Sequence, residues 1–189
     1  MMTQKDALKV LAANRGSHVV ITTMSAIGGW KELSDTPLDF FYLPSTMGQA
    51  VSLGLGLALA TPARGVVVVN GDGCSLMNLG SLVTVAAHPA NLYLIVVDNG
   101  VYQLTGGQPT AGKGIVDFTK IAAGCGIERT YDFSDLSDWT SAAPDVLSKA
   151  GPVFVRLAVQ PVFGQRAPTS PCPMKRQIAR LQQALDVVR

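Results

Sequence analysis

Val66-Val-Val-Val-Asn-Gly-Asp-Gly-Cys-Ser75 and Leu92-Tyr-Leu-Ile-Val-Val-Asp-Asn-Gly100 decide how this chain is read. Each opens on a run of apolar β-formers and ends in a polar turn. Runs of this kind read as strands buried on both faces of a parallel sheet. Between them Ser75 to His88 reads as one helix, giving a strand–helix–strand unit. Both turns of such a unit open at the carboxyl edge of the sheet, where α/β folds bind ligands. Asp72 of one turn and Asn99 of the other are thereby expected side by side.

Working outward, Lys5 to Ala13 has the spacing of a short amphipathic helix, stopped at Arg15-Gly16, and His18 to Thr22 is a first strand. His18 reads as a strand-edge residue. Ile27 to Leu33 reads as a helical turn with Trp30 packed inside. Phe40 to Leu43 is a short strand ending at Pro44, and Ala50 to Ala60 is an apolar helix. Gly54 and Gly56 inside that helix imply close approach of another backbone or a ligand, since each weakens a helix by about 1 kcal/mol. Val101 to Lys113 reads as a polar, glycine-rich loop. Beyond it come a helix at Asp117 to Ala123, a strand at Ile127 to Tyr131 and a helix at Leu136 to Lys149 that Pro144 interrupts. Val153 to Val159 is the last strand, with Arg156 exposed or paired. Residues 160–173 carry four prolines and form an arm, and Met174 to Val188 is a closing amphipathic helix. The alternation predicts a three-layer, doubly wound, mostly parallel α/β domain over residues 1–160, with the arm and last helix (161–189) packed on it.

Composition narrows the function. Of the 189 residues 48% are hydrophobic and only 15% charged, against about 25% charged in an ordinary domain. The shortage implies surface buried against other chains, with a cofactor crevice accounting for part of it. With net charge +2 and no cluster of Lys/Arg with aromatics, nucleic acid is not an expected partner. Cys74, Cys125 and Cys172 lack CxxC spacing, and there is no apolar leader or membrane-length stretch. A cytoplasmic protein off the membrane is the expectation.

The chemistry lies at the two turns. Gly71-Asp72-Gly73-Cys74-Ser75 allows a tight strand-to-helix turn, and the following helix offers free N–H groups to a phosphate. Asp72 would repel a bare phosphate. A divalent cation bridging carboxylate and phosphate removes the conflict, and Mg²⁺ suits the role, with Asn99 and a following backbone carbonyl as further oxygens. Singly, Gly-Asp-Gly and Asp-Asn-Gly are ordinary turns; after two buried strands of one unit, they favour a site. The P-loop and GxGxxG patterns are missing from the strand ends. Cys74, at a helix start that would lower its pKa, could be a nucleophile, but no histidine is placed near it.

At these residues the chain resembles the diphosphate-binding domain of thiamine diphosphate enzymes, whose signature is Gly-Asp-Gly, some two dozen residues, then Asn-Asn. Here residues 74–97 separate Gly73 from Asp98-Asn99, so Asp98 stands in place of the first Asn. The resemblance implies the thiamine diphosphate-binding fold and Mg²⁺ held by Asp72, Asn99 and the main-chain oxygen of Val101. It also implies that Gly71, Gly73, Cys74 and Ser75 cradle the diphosphate. By the same likeness Ser45, Thr46 and Met47 lie near the cofactor, Met47 beneath its bent conformation, and Tyr102 joins the cofactor contacts. Tyr102 to Thr110 is most similar to phosphonopyruvate and sulfopyruvate decarboxylases.

The family's pyrimidine-side glutamate sits on another domain, so no catalytic residue is expected in this chain. A pyrimidine-domain α subunit, in an α₂β₂ assembly, is expected to supply it. The implied activity is decarboxylation of a small 2-oxo acid. The alternatives are an acetolactate synthase-like carboligase, a 2-oxo acid oxidoreductase subunit and a non-catalytic cofactor-binding module. Lys113, Arg166 and Lys175 are candidates for a substrate anion, each also readable as surface charge.

Overall fold

A computed structural model of the chain describes residues 2–185. The strands are β1 (Val19–Thr22), β2 (Asp39–Phe41), β3 (Val66–Gly71), β4 (Leu92–Asp98), β5 (Val101–Tyr102), β6 (Gln108–Pro109), β7 (Arg129–Phe133) and β8 (Val153–Ala158). The helices are α1 (Gln4–Asn14), α2 (Met24–Trp30), α3 (Ala50–Ala60), α4 (Asp72–Leu76), α5 (Gly80–Ala87), α6 (Phe118–Gly124), α7 (Leu136–Val146) and α8 (Met174–Ala184). Six strands form one sheet in the order β2-β1-β3-β4-β8-β7, every pairing parallel.

The apolar runs are buried on both faces because alternate residues feed two cores. Val67, Val69, Ile95 and Val97 point into one with Leu8, Trp30 and Trp139. Val66, Val68, Leu94 and Val96 point into the other with Leu55, Val85 and Phe118. Helices α1, α2 and α7 therefore cover one face, and α3, α5, α6 and α8 the other, which is the three-layer arrangement expected.

Helix α3 lies so close to the sheet that a Cβ on Gly54 would fall 2.4 Å from Val68 Cγ2. A Cβ on Gly56, two residues on, would meet open space. The two glycines thus have opposite expected responses. Gly56→Ala should stabilise the isolated chain by up to about 1 kcal/mol through helix propensity. Gly54→Ala should destabilise it by about 1–3 kcal/mol through overpacking. Urea midpoints of the two variants check this.

Four local expectations are corrected. The single helix from Ser75 to His88 is two, α4 and α5, broken at residues 77–79. Asn78 causes the break: its side-chain amide donates to Gly48 O at 3.0 Å, and its own carbonyl accepts from Ser81 Oγ at 2.7 Å. These polar bonds outcompete the helix ladder. Pro144 does not interrupt α7. Both Pro144 and Thr140, whose carbonyl loses its partner, are exposed, while Trp139, Ala143 and Val146 are buried. Water can take the freed carbonyl, and packing holds the helix. Residues 101–113 are not plain loop, because β5 and β6 pair antiparallel around a 3₁₀ turn at Gln103–Thr105. The short second helix starts at Met24 rather than Ile27.

Arg156 is paired: Nε donates to Asp98 Oδ2 at 2.7 Å and Nη1 to Asp132 Oδ1 at 2.9 Å. Helix α8 packs on the sheet edge, where the Phe41 N–H donates to Gln177 Oε1 at 2.8 Å. The end of the predicted closing helix, residues 186–188, lies outside the described residues. No described helix is long and apolar enough to cross a membrane.

Candidate cofactor site

Strand register builds the site. Gly71 pairs with Val97, so β3 and β4 end level and deliver Asp72 beside Asp98-Asn99. Strand order does the rest. From β1 the chain crosses to β2 through α2 on one face, while from β3 it crosses to β4 through α4 and α5 on the other. The two connections diverge above β1 and β3 and leave a crevice there, the usual ligand position in an open α/β sheet. A cleft of about 50 Å³ sits at this place. Gly71, Asp72, Gly73 and Cys74 line it from β3, Met24 and Ser25 from β1, and Met47, Asn99, Val101 and Tyr102 complete its wall.

Asp72 is only 2% exposed. Its Oδ2 accepts from Thr110 Oγ1 at 2.9 Å, and among the described residues it has no ion-pair partner. Burial pushes its carboxyl above the ordinary range, the Asp98 charge adds to that, and the Thr110 hydroxyl and the Gly73 backbone pull the other way. A buried carboxylate of this kind wants a cation. Asn99 presents Oδ1, which accepts the Val101 N–H at 3.0 Å. Among the described residues no three His, Cys, Asp or Glu side chains form a metal cage. The oxygens that could hold a cation here are instead those of one carboxylate, Asp72, one amide, Asn99, and a main-chain carbonyl at Val101, all lining one cleft. Such hard oxygens fit Mg²⁺, which keeps waters and takes phosphate oxygens as its remaining ligands.

The floor is shaped for close approach. A Cβ on Gly73 would fall 2.5 Å from the Tyr102 ring, so only glycine leaves both in place. The first turn of α4 has no side-chain cap, and its residues Asp72, Gly73 and Cys74 line the cleft. Met24 holds φ +48°, an uncommon conformation for a non-glycine residue and one often found at binding sites.

Not every expected residue reaches the cleft. Ser75 Oγ turns back to donate to Gly71 O at 3.0 Å. Ser45 Oγ faces Met24 Sδ at 3.7 Å, and Thr46 is exposed. The expected fall in the Cys74 pKa is reversed: burial pushes the thiol up, and the nearby Asp72 charge adds to it. That removes the thiolate a nucleophile needs. Of the three candidate cations, Arg166 lines a crevice that shares Ser25 and Leu104 with the cleft. Lys113 lies in another crevice behind the Asp98–Gly100 turn, with Asp117, Asp132 and Arg156, and Lys175 is exposed on α8.

Sequence reading missed Met24, Ser25, Gln103 and the role of Thr110. Met24 and Ser25 become visible only with the strand order. Thr110 ends the Tyr102 to Thr110 stretch already singled out, but its bond to Asp72 spans 38 residues.

The chain also resembles known proteins in sequence and fold. Residues 34–157 match the family described as thiamine pyrophosphate enzyme, C-terminal TPP binding domain. The chain is 44% identical over 162 residues to phosphonopyruvate decarboxylase of Streptomyces viridochromogenes, covering 84% of this chain and 40% of that one. It thus spans less than half the length of that relative. It is 34% identical over 164 residues to sulfopyruvate decarboxylase subunit beta of Methanococcus maripaludis, covering 85% of each. Benzoylformate decarboxylase from Polynucleobacter necessarius shares the fold with a TM-score of 0.71, at 17% identity, over 82% of this chain and 33% of that structure. A cleft at the β1/β3 crevice lined by a buried carboxylate and a family match across the whole β3–β4 unit converge: the chain belongs to the thiamine pyrophosphate enzymes, as their C-terminal, cofactor-binding domain.

Proposed function

We propose that this chain is the diphosphate-anchoring part of a thiamine diphosphate- and Mg²⁺-dependent 2-oxo acid decarboxylase acting on a 3-sulfo- or 3-phosphono-substituted pyruvate. The observation that carries the reading is the buried Asp72 lining one cleft together with Asn99. Asp72 Oδ, Asn99 Oδ1 and the Val101 carbonyl would hold the cation. The N–H groups of Gly73 and Cys74 would donate to diphosphate oxygens, with Ser75 behind them, and Met47 and Tyr102 would flank the rest of the cofactor. When bound, thiamine diphosphate supplies the electron sink for loss of CO₂ from a 2-oxo acid. The chain's own residues bind and orient; none of those lining the cleft is a histidine or glutamate poised to move a proton.

The proton-moving glutamate would come from a partner chain carrying the pyrimidine side, in an α₂β₂ assembly, with residues 1–160 as the cofactor domain and 161–189 as its arm. Relatives called subunit beta support the division. So does the surface: Leu53 and Leu59 on α3, Met77 at the α4–α5 turn and Val83 on α5 are 39–56% exposed. Exposed apolar side chains on two contacting helices, α3 and α5, and at the turn before α5 suit a partner interface. Arg166, beside the cleft, is the best placed cation for the substrate's sulfonate or phosphonate.

The purified chain with Mg²⁺ and cofactor should release little CO₂ from sulfopyruvate or phosphonopyruvate, and co-expression with a pyrimidine-domain partner should raise release by at least 100-fold. Full turnover by the isolated chain would sink the divided site. Acetohydroxy acid as the main product from pyruvate would make the assembly a carboligase instead.

A further inference from the structure

We propose that Gln103 is a positioning residue: it fixes the amide of Asn99 and ties the C-terminal arm to the cation site. The inference rests on Asn99 being a cation ligand, as proposed above. Gln103 is 7% exposed and sits in the 3₁₀ turn after β5. Its orientation is dictated by the arm. The backbone N–H of Val162 can only donate, so the Gln103 atom 3.1 Å from it is the oxygen. That same Oε1 lies 2.8 Å from the Asn99 side chain, whose facing atom must therefore be the nitrogen. The other end agrees, because Asn99 Oδ1 accepts from the Val101 N–H, again a group that only donates. A carbonyl oxygen has two lone pairs. One meets Val101, and the second is left for a cation, in the orientation Gln103 enforces.

The arm is bound to this arrangement at two further points. Gln103 Nε2 donates to Gln165 Oε1. The Phe163 ring lies over Gly107, so that a Cβ there would fall 2.8 Å from it. Arm docking and correct presentation of Asn99 are therefore one arrangement. Whatever the arm contributes to cation affinity, the cation must return to arm docking by linkage.

The test uses the full 189-residue chain. Mg²⁺ affinity at saturating thiamine diphosphate is measured by calorimetry, and hydrogen exchange is followed at residues 160–166. Gln103→Leu should weaken Mg²⁺ binding by about 10–100-fold, the range for groups that orient a ligand. Gln103→Glu keeps acceptor oxygens for Asn99 and Val162 and should stay within a few fold of the parent. In the parent, Mg²⁺ with cofactor should slow exchange of the Val162 amide, and Gln103→Leu should abolish that slowing. A Gln103→Leu affinity within twofold of the parent, an equal loss in Gln103→Glu, or arm exchange indifferent to ligand overturns the coupling. Should Gln103→Leu fail to fold, exchange in the parent decides alone. Asp72→Ala separates the two levels. If it too leaves Mg²⁺ affinity unchanged, the cation site itself is misplaced. If it abolishes binding while Gln103→Leu does not, only the coupling fails.

Discussion

Asp72→Asn is expected to leave the apo chain as stable as the parent or more stable, and to abolish its stabilisation by Mg²⁺ with thiamine diphosphate. The two halves come from one observation. Asp72 is buried, has a hydroxyl and a backbone N–H rather than a cation for company, and lies beside another carboxylate, Asp98. In the apo chain its charge is a burden, and an amide of the same shape relieves it while still accepting from Thr110. The cation changes the sign. At ligand concentrations near 100 times Kd, a folded-state ligand adds about 2.7 kcal/mol of stability, or roughly 5–10 °C in Tm for a domain of this size. The parent should show that rise and Asp72→Asn should not, with Mg²⁺ affinity at least about 100-fold weaker. A thermal melt with and without Mg²⁺ and cofactor reads both. An apo chain markedly destabilised by Asp72→Asn would mean the carboxylate is structural, and an unchanged ligand shift would place the cation elsewhere.

That contrast was legible in the sequence because the decisive fact is one of register. Two apolar runs ending in Gly-Asp-Gly and Asp-Asn-Gly must, as neighbouring parallel strands, finish level, and the pairing of Gly71 with Val97 does this. The layers were legible for a similar reason, since uninterrupted apolar strands demand cover on both faces. What stayed hidden depends on partners far apart in sequence. Asn78 breaks a helix that periodicity favours, because Gly48 is there to receive its amide. Pro144 is tolerated because the carbonyl it frees belongs to an exposed residue, Thr140. Gln103 reads as one polar residue in a polar loop until the arm, some 60 residues later, returns to it. The Cys74 thiol shows the limit most plainly. A helix start lowers a thiol pKa, but burial beside Asp72 raises it, and only the structure says which wins.

Arg15 shows the same limit and carries the largest expected effect on stability. In the sequence it only marks the end of the first helix; in the structure it is the partner of Asp39 at the start of β2. Asp39 has a fully buried side chain, and that of Arg15 is 8% exposed. Around the ion pair, Asp39 accepts from Trp30 Nε1 at 2.9 Å, Ser34 Oγ at 2.6 Å and the Thr36 N–H at 2.7 Å, while Arg15 also donates to His18 O. The network binds α1, α2 and the edge strand together. Asp39→Ala strands the guanidinium, and Arg15→Ala strands the carboxylate. Each should cost about 3–5 kcal/mol, the range for breaking a buried pair from one side, or roughly 6–20 °C in Tm. Removing both charges with Arg15→Met and Asp39→Leu should cost much less than the sum of the single changes, because neither charge is then left alone. Acid should act as the single change does. Burial opposes ionisation of Asp39, but the bonds from Ser34, Thr36, Trp30 and Arg15 outweigh it and hold the carboxyl below its ordinary value of 3.8. A lowered folded-state pKa contributes stability that is full above 3.8 and drains as pH falls through the folded value. The parent should therefore lose this share of stability only below pH 3.8, while Asp39→Ala, having lost it already, should show a shallower acid limb. Parallel limbs in urea unfolding of the two proteins between pH 5 and about pH 3 would show that the pair contributes nothing.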